Sequence, residues 1–172
     1  VGVVPDAVVA ADLDETPAEQ ETPRRLALRL AGEKAAYVAA GHPDAWVLAA
    51  DTVVAVGRRV LPKVETPVEG RRCLELLSGR AHKVLTAVCV FAPGGRISTR
   101  LSETRLHFRR LSEADIAAYL ASGEGLGKAG GYAVQGRAGA FVINLQGSYS
   151  GVVGLPLYET LNLLSGSGYR LP

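Results

Sequence analysis

Two stretches of this chain, with a few outlying residues, have the types and spacing to do chemistry. An aspartate stands inside a valine-rich run, Trp46-Val47-Leu48-Ala49-Ala50-Asp51-Thr52-Val53-Val54-Ala55-Val56. A carboxylate there is paired, bound to a metal, or capping a strand end at a turn, and the residue types alone leave these readings level. Glu15, Lys34 and Lys63 supply partners if they converge: a second carboxylate for a divalent cation, and two cations for phosphate. The second stretch, Lys128-Ala129-Gly130-Gly131-Tyr132-Ala133-Val134-Gln135-Gly136, mixes glycines with a lysine and a glutamine, and Gly147 to Leu157 adds three more glycines. Such glycine density lets a backbone approach a ligand and exposes N–H groups to phosphate oxygens. Lys128 adds a point charge, and the Gln135 amide can read a nucleobase edge by donating and accepting together. Taken alone, two ordinary surface loops would account for the glycines, and each lysine would be surface decoration.

These residues must be held by a chain of 172 residues, enough for one domain, with room for two lobes and a real core. Its 48% hydrophobic and 21% charged content reads as soluble and globular. A net charge of +2, with basic residues scattered, gives no argument for a nucleic-acid polymer or a membrane as partner. No apolar run approaches the length of a membrane span. Cys73 and Cys89 lack CxxC spacing and read as buried, reduced thilos of a cytoplasmic protein, while the scattered His42, His82 and His107 argue against zinc.

The positioning elements follow from local signals. Residues 1–10 are valine-rich and suggest a short strand, and Asp12, Asp14 and Glu15 open a polar loop. Thr22-Pro23 reads as the start of a helix running to about residue 40. Residues 46–56 form a strand interrupted at Asp51-Thr52, and Gly57-Arg58-Arg59 turns into a second short strand. Thr66-Pro67-Val68-Glu69 has capping-box spacing for a helix ending at Gly79. Residues 82–92 and 96–108 pair as a hairpin through Pro93-Gly94-Gly95. Ser112 caps a helix stopped by Gly123, a strand follows at 139–145, and a last helix spans Pro156 to Leu164. Alternating strands and helices with one hairpin predict an α/β fold with a mixed sheet.

Read in order, these segments resemble the Maf family of nucleotide pyrophosphatases over essentially the whole chain. Asp14-Glu15 is similar to the family's Asp-Glu pair, and Arg29-Leu30-Ala31-Gly32-Glu33-Lys34-Ala35 to its Arg-Leu-Ala-x-x-Lys-Ala helix. Ala50-Asp51-Thr52-Val53-Val54 matches the segment bearing the catalytic aspartate, and Leu77-Ser78-Gly79 with His82 matches the Leu-Ser-Gly-x-x-His signature. The resemblance implies a twisted sheet flanked by helices, like the inosine-triphosphate pyrophosphatases, with two lobes around a central cleft. It implies hydrolysis of nucleoside triphosphates to monophosphate and pyrophosphate, a divalent cation (Mg²⁺ or Mn²⁺), and a homodimer. Asp51 would be the catalytic carboxylate and, with Glu15, a metal ligand, while Lys34, Lys63 and Lys128 would bind the phosphates. Thr52 and Gln135 resemble the subgroup acting on dTTP and UTP, whereas the 7-methyl-GTP subgroup carries glutamine and glutamate there. A glutamine suits the mixed edge of uracil or thymine, a glutamate the donor-rich edge of guanine.

Three departures qualify the resemblance. The family opens with a strand and a Ser-x-Ser-Pro-Arg-Arg loop whose arginine binds substrate, and none precedes Val1. Thr22-Pro23-Arg24-Arg25 imitates that loop but falls on the start of the helix bearing Lys34. The expectation is an N-terminus that is truncated or unresolved, and a molecule that truly lacks the arginine loop is expected to be weakly active or inactive. Gly-Lys-Pro reads Pro62-Lys63-Val64, and Asp-Lys-Ala-Gly reads Gly127-Lys128-Ala129-Gly130, which loses a carboxylate. Two rivals stand beside the pyrimidine reading: cleansing of non-standard nucleotides, and a catalytically silent nucleotide-binding regulator of division.

Overall fold

Thr22-Pro23 opens α1 (Pro23–Ala40) in the computed structural model, which describes residues 2–172. The Thr22 hydroxyl accepts from the Arg25 amide, and Pro23 occupies a first-turn position where no N–H is needed. The Thr-Pro-Arg-Arg segment is therefore a helix start, as its place in the sequence predicts. Reciprocal capping boxes begin α2 (Pro67–Leu77, Thr66 with Glu69) and α3 (Glu113–Ser122, Ser112 with Asp115). Each cap contributes about 1 kcal/mol to its helix. Gly123, in the left-handed region at φ 70°, ends α3.

One five-stranded sheet joins β1 (Val47–Val56), β2 (Arg59–Leu61), β3 (Ala81–Phe91), β4 (Ile97–Phe108) and β5 (Val142–Gln146) in the order β2-β1-β3-β4-β5. The α/β class with a helix-flanked sheet holds, and every neighbouring pair among the described strands is antiparallel. Side chains alternate across the two faces of this sheet. On one face Val53, Ala55, Leu85, Ala87 and Cys89 pack on Leu26, Leu30 and Ala31 of α1. On the other, Val54, Val84, Leu106 and Phe108 meet Cys73, Leu74 and Leu77 of α2 and Ile116 and Tyr119 of α3. Both cysteines are buried and unpaired with each other. Towards the far end of that second face lie α4 (Tyr149–Val153) and α5 (Leu157–Gly166), with Leu163 and Leu164 on Val88 and Val90.

Three local expectations change. Residues 2–22 hold no strand; Val4 and Val8 are 82% and 90% exposed, so the valines have no pleated neighbour to pack on and β-propensity has nothing to act through. The strand expected at 139–145 is a 3₁₀ turn over Arg137–Phe141 followed by β5, because the Gly139 amide bonds back to Gly136 at 3.0 Å. β1 is not interrupted: Asp51 pairs with Ala87 and Thr52 with Thr86 within a continuous ladder. No helix among the described residues is long and apolar enough to cross a membrane.

Candidate active site

Asp51 lies inside β1 and is 8% exposed, so the strand-end capping role is excluded and its charge needs a partner. The partner comes from α1. Lys34 Nζ donates to Asp51 Oδ1 at 2.6 Å and lies 2.5 Å from Glu15 Oε1. Burial pushes the Asp51 carboxyl above its ordinary range, and Lys34 only partly offsets that. Burial opposes the charge on Lys34 too, but the two carboxylates outweigh it and hold the ammonium more firmly protonated than usual. One cation thus gathers two carboxylates, Glu15 and Asp51, that are 36 residues apart in sequence, from a loop and a strand.

The loop bearing Glu15 is fastened by a residue whose role the sequence did not disclose. Arg29 on α1 donates to both carboxylate oxygens of Glu21 at 2.9 Å, to the Thr16 carbonyl at 3.1 Å and to Glu33 at 3.0 Å. Hydrogen bonding from Arg29 pulls Glu21 down to about 2. The fork geometry of a guanidinium makes this clamp possible.

Lys63 and Lys128 arrive on two segments stitched by the backbone. Val64 N donates to Lys128 O at 3.0 Å, Gly127 N to Val64 O at 2.7 Å and Gly130 N to Pro62 O at 2.9 Å. This corrects the sequence reading of the glycine-rich loop. The amides of its glycines bond to protein carbonyls, Gly130 to Pro62, Gly131 to Lys128 and Gly136 to Ala133, and so are not presented to phosphate. Its glycines serve packing: a Cβ on Gly130 (φ +68°) would stand 2.9 Å from Val54 Cγ1, and one on Gly131 (φ +72°) 2.9 Å from Val64 Cγ2.

A cavity of about 560 Å³ brings together Glu15, Lys34, Asp51, Thr52, Lys63, Lys128 and Gln135, with apolar walls from Leu26, Leu30, Val54, Val84, Tyr132 and Val152. Lys63, Lys128 and Gln135 are exposed at its rim, Thr52 half-buried. Every residue predicted from sequence to form the site borders this space. Among the described residues no three His, Cys, Asp or Glu side chains assemble a closed metal cage. Glu15 and Asp51 form instead an all-oxygen pair, the donor set that suits Mg²⁺ or Mn²⁺ arriving on substrate phosphates.

His82 stands outside the cavity. Its Nε2 lies 2.8 Å from the hydroxyl of Tyr132, which does line it, and both rings pack edge-on against Phe108. Burial drives the imidazole down to about 4, so it is neutral near pH 7. Ser78 of the same signature accepts from the Leu111 amide at 2.8 Å. Of these signature residues, His82 therefore braces the cavity wall through Tyr132, while Ser78 ties down the segment leading into α3.

Residues 1–167 match the family described as Maf-like protein. The chain is 66% identical over 170 residues to a dTTP/UTP pyrophosphatase of Caulobacter vibrioides, covering 99% of this chain and 88% of that one. It is 61% identical over 168 residues to one of Maricaulis maris, covering 98% and 80%, and 58% identical over 170 residues to one of Rhodospirillum rubrum, covering 99% and 81%.

Proposed function

The chain belongs to the Maf family, and from that premise we propose that it hydrolyses dTTP and UTP to the nucleoside monophosphate and pyrophosphate. The observation that carries the reading is the shared cavity: a buried aspartate with raised pKa, bonded to a lysine that also holds Glu15, beneath a rim carrying Lys63 and Lys128.

Asp51 accepts a proton from the water that attacks the α-phosphorus, and a carboxyl raised by burial is a better base than an exposed one. Lys34 keeps Asp51 ionised and in place, and Glu15 within reach of it. Lys63 and Lys128 neutralise charge developing on the departing pyrophosphate. Asp51 and Glu15 would hold Mg²⁺ or Mn²⁺, which when bound lowers the pKa of water and polarises phosphate oxygens. Thr52 and Gln135 take the base. We read the whole chain as one domain that works in the cytoplasm as a homodimer; the buried thiols Cys73 and Cys89 support a reducing compartment, and sedimentation tests the dimer.

A pyrophosphate-release screen over common and modified nucleoside triphosphates, run on the full-length gene product, tests the reading. dTTP and UTP should dominate. Preference for inosine or xanthosine triphosphate would replace the base assignment while keeping the reaction. No release from any nucleotide would replace catalysis with binding alone.

A further inference from the structure

Two hydroxyls and a carbonyl behind the cavity form a chain whose proton order is determined. Thr86, 1% exposed in β3, lies directly across from Thr52 in β1. Its Oγ1 is 2.7 Å from the Gly151 carbonyl oxygen and 3.0 Å from Thr52 Oγ1. A carbonyl only accepts, and a threonine hydroxyl has one proton. Thr86 therefore donates to Gly151, and the bond between the hydroxyls must run from Thr52 to Thr86. The proton of Thr52 is directed into the protein, and towards the cavity Thr52 offers lone pairs alone.

The acceptor end of this chain is held firmly. The Gly151 amide donates to Ser148 Oγ at 3.0 Å, and its carbonyl also accepts from Gly154 N at 3.1 Å. A Cβ on Gly151 would stand 3.2 Å from Ser102 Oγ and from Ser148 Oγ, closer than side-chain carbons ordinarily pack. Gln135 is the opposite case: it is exposed, and an amide can turn to present its oxygen or its NH₂. Gln135 alone does not demand one edge of a base; an oriented Thr52 does.

We propose that Thr86 is a specificity-positioning residue, which fixes Thr52 as an acceptor so that the base must present a donor to it. This rests on the placement of the base against Thr52 given above. Uracil and thymine carry N–H at ring position 3, whereas cytosine carries a bare ring nitrogen there. Cytosine would set two acceptors face to face and leave both unsatisfied. Thr86 does not border the cavity, so it acts on the choice of base only through Thr52.

The test is kcat/KM for UTP and for CTP in the wild type, Thr86→Val and Thr86→Ser. Valine frees the Thr52 hydroxyl to turn and donate, and should lower the UTP-to-CTP ratio about tenfold or more. Serine keeps the proton and should keep the ratio, a result that loss of packing alone would not produce. A folded Thr86→Val enzyme with the wild-type ratio overturns the inference while leaving the base placement standing. A wild type that cleaves CTP as readily as UTP sinks that placement and this inference with it. Should the valine variant fail to fold, CTP against 3-deaza-CTP on the wild type decides. Replacing the ring acceptor by C–H should raise kcat/KM, and no gain overturns the proposal.

Discussion

Asp51 and Thr52 are neighbours in β1 and reach the same cavity from opposite faces of the sheet: Asp51 beside Lys34 of α1, Thr52 beside Thr86 and α4. The cavity can join the two faces because β2 pairs with β1 only at Val54–Val56, leaving the outer edge of β1 without a strand beside it at residues 51–53 among those described. A bound nucleotide would cross that edge, with its phosphates on one side and its base on the other. Changes on the two sides should then have separable effects.

On the phosphate side, Asp51→Asn should keep the fold and reduce turnover by roughly 10²–10⁴ for every accepted nucleotide, the range for loss of a positioned general base. Turnover near the wild-type value, with an unchanged melting temperature, would remove Asp51 from the chemistry.

Lys34→Ala has a distinct signature in pH. Lys34 favours the ionised form of Asp51, so without it burial is opposed only by the weaker field of Lys63 and the carboxyl pKa rises further. A base works only when deprotonated, so the acid limb of kcat/KM should move to higher pH. Lys63→Ala, on an exposed side chain, should weaken kcat/KM at all pH values with little change in melting temperature. An unmoved acid limb in Lys34→Ala would separate Lys34 from the base.

On the base side, Thr52→Gln combined with Gln135→Glu should erode cleavage of dTTP and UTP and open the site to 7-methyl-GTP. A competition assay reads both. Retained pyrimidine preference in the double variant would place the base elsewhere.

His82 gives the fold a pH dependence of its own. The unfolded chain takes up a proton near the ordinary value of 6.5, whereas the buried imidazole resists until about 4. The unfolded state therefore binds more protons throughout that window, and stability falls as pH drops through it, by about 3 kcal/mol in all. Above 6.5 the contribution is level. Chemical denaturation from pH 7.5 to 4 should show the slope, and His82→Gln should flatten it; an equal slope in both proteins would locate the effect at other groups.

What could be read in advance was what short-range physics determines. Thr66 with Glu69, and Thr22 with Pro23, announce helix starts because both partners lie within one turn. The residues that border the cavity could be named as a set through the family resemblance, but not their arrangement. Gly130 and Gly131 have the composition of a phosphate loop, and only the positions of Val54 and Val64 show that these glycines are there for close packing. The sequence puts Thr86 in an apolar strand and Arg29 at the head of the Arg-Leu-Ala-x-x-Lys-Ala helix motif, without disclosing what either bonds to. Their roles depend on Gly151 and Glu21, and no local pattern discloses such pairings.

The seam between residues 62–64 and 127–130 gives the proposed phosphate grip a collective character. The amides of Val64, Gly127 and Gly130 all bond across it, so none is released to solvent exchange unless the seam parts. When it parts, Lys63 and Lys128 leave together, as one opening unit with one free energy. Deuterium should therefore enter these three amides at a common opening rate, and the rim of the cavity should be lost or restored as a whole.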